Sequence, residues 1–147
     1  MDSGLGGECS GYPKAGHFVQ RLAATGVDLA SVTDVVLTHL HFDHVGGLLV
    51  DGVKEHLRSD LRVHVSAAEV ELWRSPDFTR TAIPQEFSEV IRRASAAFLE
   101  TYRDHLCIFN EEQQVAPGVV ARALGLPERL QGPVAWRHVW LGSTAVG

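Results

Sequence analysis

The stretch "DVVLTHLHFDHVGG", residues 34–47, constrains this chain more than any other. Its first five residues form a short β-branched apolar run, the pattern of a buried strand. Where that run stops, His39, His41, Asp43 and His44 follow in quick succession. Alternate residues of an extended segment point the same way, so His39 and His41 project together. Asp43 and His44 then fall in a turn or the first turn of a helix, adding a carboxylate and a third imidazole. A metal site requires several deprotonated lone-pair donors aimed at one volume, and this spacing supplies them. Nitrogen and carboxylate donors without cysteine suit zinc, with iron, manganese or cobalt as alternatives. The Thr38 hydroxyl is placed to steady a ring or the carboxylate, and Gly46 and Gly47 let backbone pass close by and reverse. Chance clustering on a surface loop accounts less well for this alternate-then-adjacent spacing.

The flanking sequence surrounds that junction with helices and strands. Phe18, Val19, Leu22 and Ala23 recur at helical spacing between Gly16 and Ala24, and Gly26 ends the pattern. "VDLASV" reads as a short turn and helix. "DLRVHVS" alternates, with Leu61, Val63 and Val65 on one face and Arg62 and His64 on a polar one, a second strand. "SAAEVELWRS" predicts a helix capped by Ser66, with Glu69 at the reciprocal capping position. Phe87, Val90, Ile91, Ala94, Phe98 and Tyr102 step by threes and fours across 85–104, a longer amphipathic helix. "LCIF" and "VVARAL" read as strands separated by the turn-rich "NEEQQVAPG", and a further strand is expected at 134–141. No internal repeat or linker divides the 147 residues, so the expectation is a single domain, 1–147, of class α/β or α+β.

Charge and cysteine usage narrow the partners. A net charge of −5 without a basic run leaves nothing to neutralise phosphates, which argues against nucleic acid. No apolar run approaches the roughly 20 residues that span a bilayer, so no membrane partner is expected. The amino terminus has neither the basic start nor the apolar stretch of a signal peptide. Cys9 and Cys107 lie far apart and outside any C-x-x-C arrangement, which predicts a reduced, cytoplasmic setting. "DSGLGG" invites a phosphate-loop reading, but such a loop needs a strand before it and a helix directly after.

The segment "THLHFDHVGG" resembles the H-x-H-x-D-H signature of the metallo-β-lactamase superfamily. Its Leu-His-Phe filling is similar to the branch that includes lactonases acting on acyl-homoserine lactones. "DSGLGG" looks like the loop after an early strand of that family, and "VAPGVV" like the turn and strand before its next histidine. The resemblance runs from Asp2 to about Arg122. It implies an αββα sandwich with metals at the ends of the two sheets. His39 and His41 would be ligands of a first ion, and Asp43 and His44 ligands of a second. Asp43 would also steer the nucleophilic water, which makes it the catalytic residue, and Asp2 would stand behind the metals. The family pattern continues with a histidine where this chain has "GLPERLQG", then a bridging aspartate and a last histidine that find no match. The resemblance therefore implies a partial metallo-β-lactamase-like sandwich of class α+β. His138 is the nearest substitute for the missing ligand, but its flanks do not match the family and it reads rather as a partly exposed strand histidine.

These readings predict a metal-dependent hydrolase. One or two zinc ions, or other divalent metals, would activate water against a lactone, ester or related carbonyl of a small-molecule substrate. The alternative is a catalytically silent remnant or metal-binding module. A half-sandwich would also expose apolar strand surface and self-associate. Among the other residues, His64 is expected to be structural, and His17, His56 and His105 solvated. Cys107 reads as a small core residue. Trp73, Trp136 and Trp140 read as core or interface, Glu111 and Glu112 as solvated, and "RSPDFTRTAIP" as a surface loop.

Overall fold

The apolar run at residue 34 does form a strand, and the elements that position the histidines are built around it. The computed structural model describes residues 3–7, 15–78, 84–123 and, for the backbone, 139–143. Helix α1 (Phe18–Ala24) leads through a single 3-10 turn to β1 (Asp34–Val36). Two short helices, α2 (Phe42–Val45) and α3 (Val53–His56), connect β1 to β2 (Arg62–Ser66). Helices α4 (Ala67–Arg74) and α5 (Gln85–Thr101) then lead to β3 (Leu106–Phe109). A meander of β4 (Glu112–Ala116), β5 (Val119–Ala123) and β6 (Val139–Ser143) follows.

β1, β2 and β3 form a parallel sheet in that order, with Val35 opposite Val63 and Val63 opposite Leu106. Parallel neighbours need crossover connections, and here the helical segments α2–α3 and α4–α5 make them. The main core therefore lies between the sheet and the helices. Val35, Leu37, Val63 and Val65 pack there with Val70, Trp73, Ile91, Phe98 and Tyr102. The opposite face carries Val36 and Phe109, which pack against Val115 and Ala121 of the antiparallel sheet β4-β5-β6. The described layers thus run helices, parallel sheet, antiparallel sheet, a mixed helix-and-sheet architecture. No helix among the described residues is long and apolar enough to cross a membrane.

Several sequence expectations change. "EQQVA" is a strand rather than part of a turn, because pairing of Glu112 with Arg122 and Gln113 with Ala121 supplies what its polar composition does not. The turn shrinks to Pro117-Gly118, where Gly118 adopts φ +74°. Of the strand expected at 134–141, residues 139–141 fall in β6 (Val139–Ser143), and 134–138 lie outside the described residues. The long helix stops at Thr101 and passes into a 3-10 turn at Arg103–His105. His64, expected to be structural on the polar face of its strand, is buried at 2% exposure with its Nε2 2.7 Å from Asp34 Oδ1. His105 is half-buried, with Nδ1 3.2 Å from the Leu61 carbonyl, and is not the solvated histidine expected. Trp73 is in the core as expected, while Cys9, Trp136 and the Trp140 side chain lie outside the described residues.

Candidate metal centre

β1 ends at Val36, but Leu37 N–H still donates to the His64 carbonyl at 3.1 Å, so the chain leaves the sheet in a set direction. Leu37 and Leu40 are both fully buried and anchor the segment between the strand and α2. His41 is the last extended residue. Its carbonyl accepts the amides of His44 and Val45 at 2.9 and 3.0 Å, which starts the single turn of α2 and turns Asp43 and His44 back beside the other two histidines.

The structure brings His39, His41 and Asp43 into one group, with a ligand atom from each lying within 4.8 Å of the others. Donors of a tetrahedral zinc at its usual bond lengths are about 3.4 Å apart. His39 and His41 are buried, at 7% and 8% exposure, which holds their rings away from competing water. Their ring centroids are 4.7 Å apart. His44 flanks the group: its ring sits 3.8 Å from that of His39, and its Nε2 3.6 Å from Asp43 Oδ2. Thr38 Oγ1 lies 3.1 Å from Nδ1 of His39 and 3.3 Å from Nδ1 of His44, so one hydroxyl holds two rings. Two buried imidazoles, a carboxylate and a flanking imidazole fit a divalent cation in donor chemistry.

A cavity of about 590 Å³ opens beside Asp43, with Leu5, His17, Phe18, Arg21 and Leu22 in its walls. Asp2 and His138 lie outside the described residues. Sequence reasoning did not foresee that Trp73 meets the His41 ring edge-on at a centroid distance of 5.2 Å. It also missed Glu69 and Ser95, buried side chains that contact the Leu40 backbone between the two histidines. The capping position of Glu69 was the one available signal, and it pointed only to a local role.

Far from the centre, Asp34 carries a charge cluster at the other end of β1. Burial works to raise its pKa, but hydrogen bonds from Arg62, His64 and Thr33 outweigh that and bring it down to about 2.

Comparison with solved structures places the fold among known proteins. The chain is similar to AidC, a dizinc quorum-quenching lactonase solved with a product, at 23% identity and a TM-score of 0.63, covering 85% of this chain and 48% of that one. It is similar to the hydrolase AbOPH of the beta lactamase superfamily, at 22% identity and a TM-score of 0.59, over 85% and 47% of the two chains. A quorum-quenching N-acyl homoserine lactone lactonase matches at 18% identity and a TM-score of 0.57, over 97% and 52%. The chain thus spans about half the length of these structures. A comparison with curated protein sequences gives no significant match. A sequence model of the metallo-beta-lactamase superfamily matches residues 2–136, and its span takes in β1, the histidine cluster and the strands behind it. By sequence model and by fold, the chain belongs to the metallo-β-lactamase superfamily.

Proposed function

We propose that His39, His41 and Asp43, with His44 as a further ligand, hold one or two divalent ions, zinc foremost, and serve a metal-dependent hydrolase. Its substrate is a small molecule carrying a lactone, ester or related carbonyl. The observation that carries this reading is the convergence of three donor atoms within 4.8 Å, one of them from Asp43, which also lines a cavity. Bound there, such an ion supplies a Lewis acid that makes water a competent nucleophile near pH 7 and stabilises charge on a carbonyl oxygen.

The chain's own residues do the rest. Asp43 is exposed and faces the cavity, where its carboxylate can orient a water molecule and take its proton. Thr38 keeps the Nδ1 atoms of His39 and His44 occupied, which turns their Nε2 atoms toward a ligand. Leu5, Phe18 and Leu22 offer apolar surface to the non-reacting part of a substrate. The lean toward lactones draws support from the fold shared with AidC and the N-acyl homoserine lactone lactonase.

The test is metal analysis of the purified protein together with hydrolysis of a panel of lactones and esters. Bound zinc with turnover, both lost in His41→Ala, supports the hydrolase. Zinc held without turnover favours the alternative, a silent metal-binding module. No uptake of any divalent ion sinks both.

A further inference from the structure

Leu40 separates His39 from His41, and buried side chains from two different helices hold both of its backbone polar groups. Its N–H donates to Oε2 of Glu69 on α4 at 3.1 Å. Its carbonyl accepts the hydroxyl of Ser95 on α5 at 2.6 Å. Leu40 and Ser95 are fully buried, and Glu69 is 2% exposed. Leu40 lies beyond β1, so no strand partner satisfies these groups, and a buried backbone amide or carbonyl must find one. Two helices supply the partners from 29 and 55 residues away in the chain.

The same Glu69 Oε2 accepts the indole N–H of Trp73 at 2.9 Å, and the Trp73 ring meets the His41 ring edge-on. Ser66 Oγ accepts the Glu69 amide at 3.3 Å, so the residue that supplies the carboxylate is itself capped in place. A carboxylate this far from water is costly unless strongly hydrogen-bonded.

The geometry matters because the Leu40 N–H belongs to the peptide plane shared with His39, and its C=O to the plane shared with His41. Holding one plane from α4 and the other from α5 sets the rotation about Leu40, and with it the separation and aim of the two imidazoles. We propose that Glu69 and Ser95 form a two-sided clamp on Leu40 and act as positioning residues for the His39–His41 pair, with Trp73 tying the same carboxylate to the His41 ring. This rests on the reading that the pair holds a metal.

The experiment is zinc titration against a chromophoric chelator, with the metal-free melting curve of each variant recorded alongside so that affinities are compared on folded protein. Removing an outer partner of a ligand typically lowers metal affinity by about 10–100-fold, and Glu69→Ala is expected in that range. Glu69→Gln is expected to restore affinity to within about threefold of wild type, because an amide oxygen in the place of Oε2 can accept both N–H groups. Ser95→Ala releases the other plane and is expected to weaken zinc by about tenfold. Should Glu69→Ala fail to fold, Ser95→Ala carries the same test. A lowered melting temperature with wild-type zinc affinity in these variants would mean a purely structural role and overturn the clamp. If wild type takes up no zinc, or His39→Ala changes nothing, the metal reading fails first and the clamp with it.

Discussion

The hydroxyl and the amide of Ser3 both donate to the backbone carbonyl of His44, at 2.8 and 2.7 Å. The same hydroxyl oxygen accepts Leu48 N–H at 3.2 Å, and Ser3 is 3% exposed. Two bonds therefore fasten the segment before α1 to the short helix that carries Asp43 and His44, and the third ties it to the 3-10 turn Gly46–Leu49 that follows. Ser3→Ala keeps the amide bond but leaves the buried Leu48 N–H without this acceptor, and is expected to cost about 1–3 kcal/mol. Chemical denaturation at pH 7 measures it, and an unchanged midpoint would contradict the assignment.

Close backbone packing at the glycine pair makes a second prediction. A Cβ on Gly47 would stand 2.3 Å from the Ser3 carbonyl oxygen and 2.9 Å from the Phe18 ring. Backbone cannot yield as a side-chain tip can, so Gly47→Ala should destabilise by about 1–3 kcal/mol. Gly7→Ala, where a Cβ meets nothing within 4 Å, is the control and should leave the midpoint in place.

Acid stability should depend on Asp34. Its folded pKa is depressed to about 2 from an ordinary 3.8, chiefly because the hydrogen bonds from Arg62 and His64 overcome the opposing effect of burial. A depressed carboxyl contributes stability that is complete above its unfolded pKa and is lost as pH falls through the folded one. The wild-type melting temperature should therefore fall between about pH 4 and pH 2 more steeply than that of Asp34→Asn, which lacks the titrating group. Arg62 is more than half exposed, so part of the difference should fade in salt. Parallel curves for the two proteins would exclude Asp34 as the source.

Thr38 offers a test of ring alignment that leaves the proposed ligands themselves untouched. Its oxygen has two lone pairs, enough to accept Nδ1–H from both His39 and His44. Thr38→Val keeps the shape and removes the acceptor, and is expected to weaken zinc binding by about 10–100-fold. Thr38→Ser should recover most of the loss. Equal affinity in the valine variant would show that packing alone orients the rings.

Much of the local structure was legible because it depends on neighbours in the chain. The β-branched run before Thr38 forms β1, the Ser66 hydroxyl caps α4 through the Glu69 amide, and the apolar steps from Phe87 to Tyr102 form α5. The placement of His39, His41, Asp43 and His44 at the mouth of a strand was readable for the same reason. The nature of β4 was not, because Gln113 and Gln114 carry no strand signal and become a strand by pairing with β5. Nor was the burial of His64, whose face counts as polar until a second sheet covers it.

By itself the sequence determined which candidate donors lie close along the chain, spaced by two, two and one past a strand end, and three of them, His39, His41 and Asp43, meet in one group. Only the tertiary structure decided how firmly they are held. The Leu40 amide and carbonyl, released from the sheet, take their partners from Glu69 and Ser95 on two helices, and no local pattern encodes contacts across such sequence distances. Those contacts exist because burial of the helix faces against the parallel sheet forces polar groups inside to find one another.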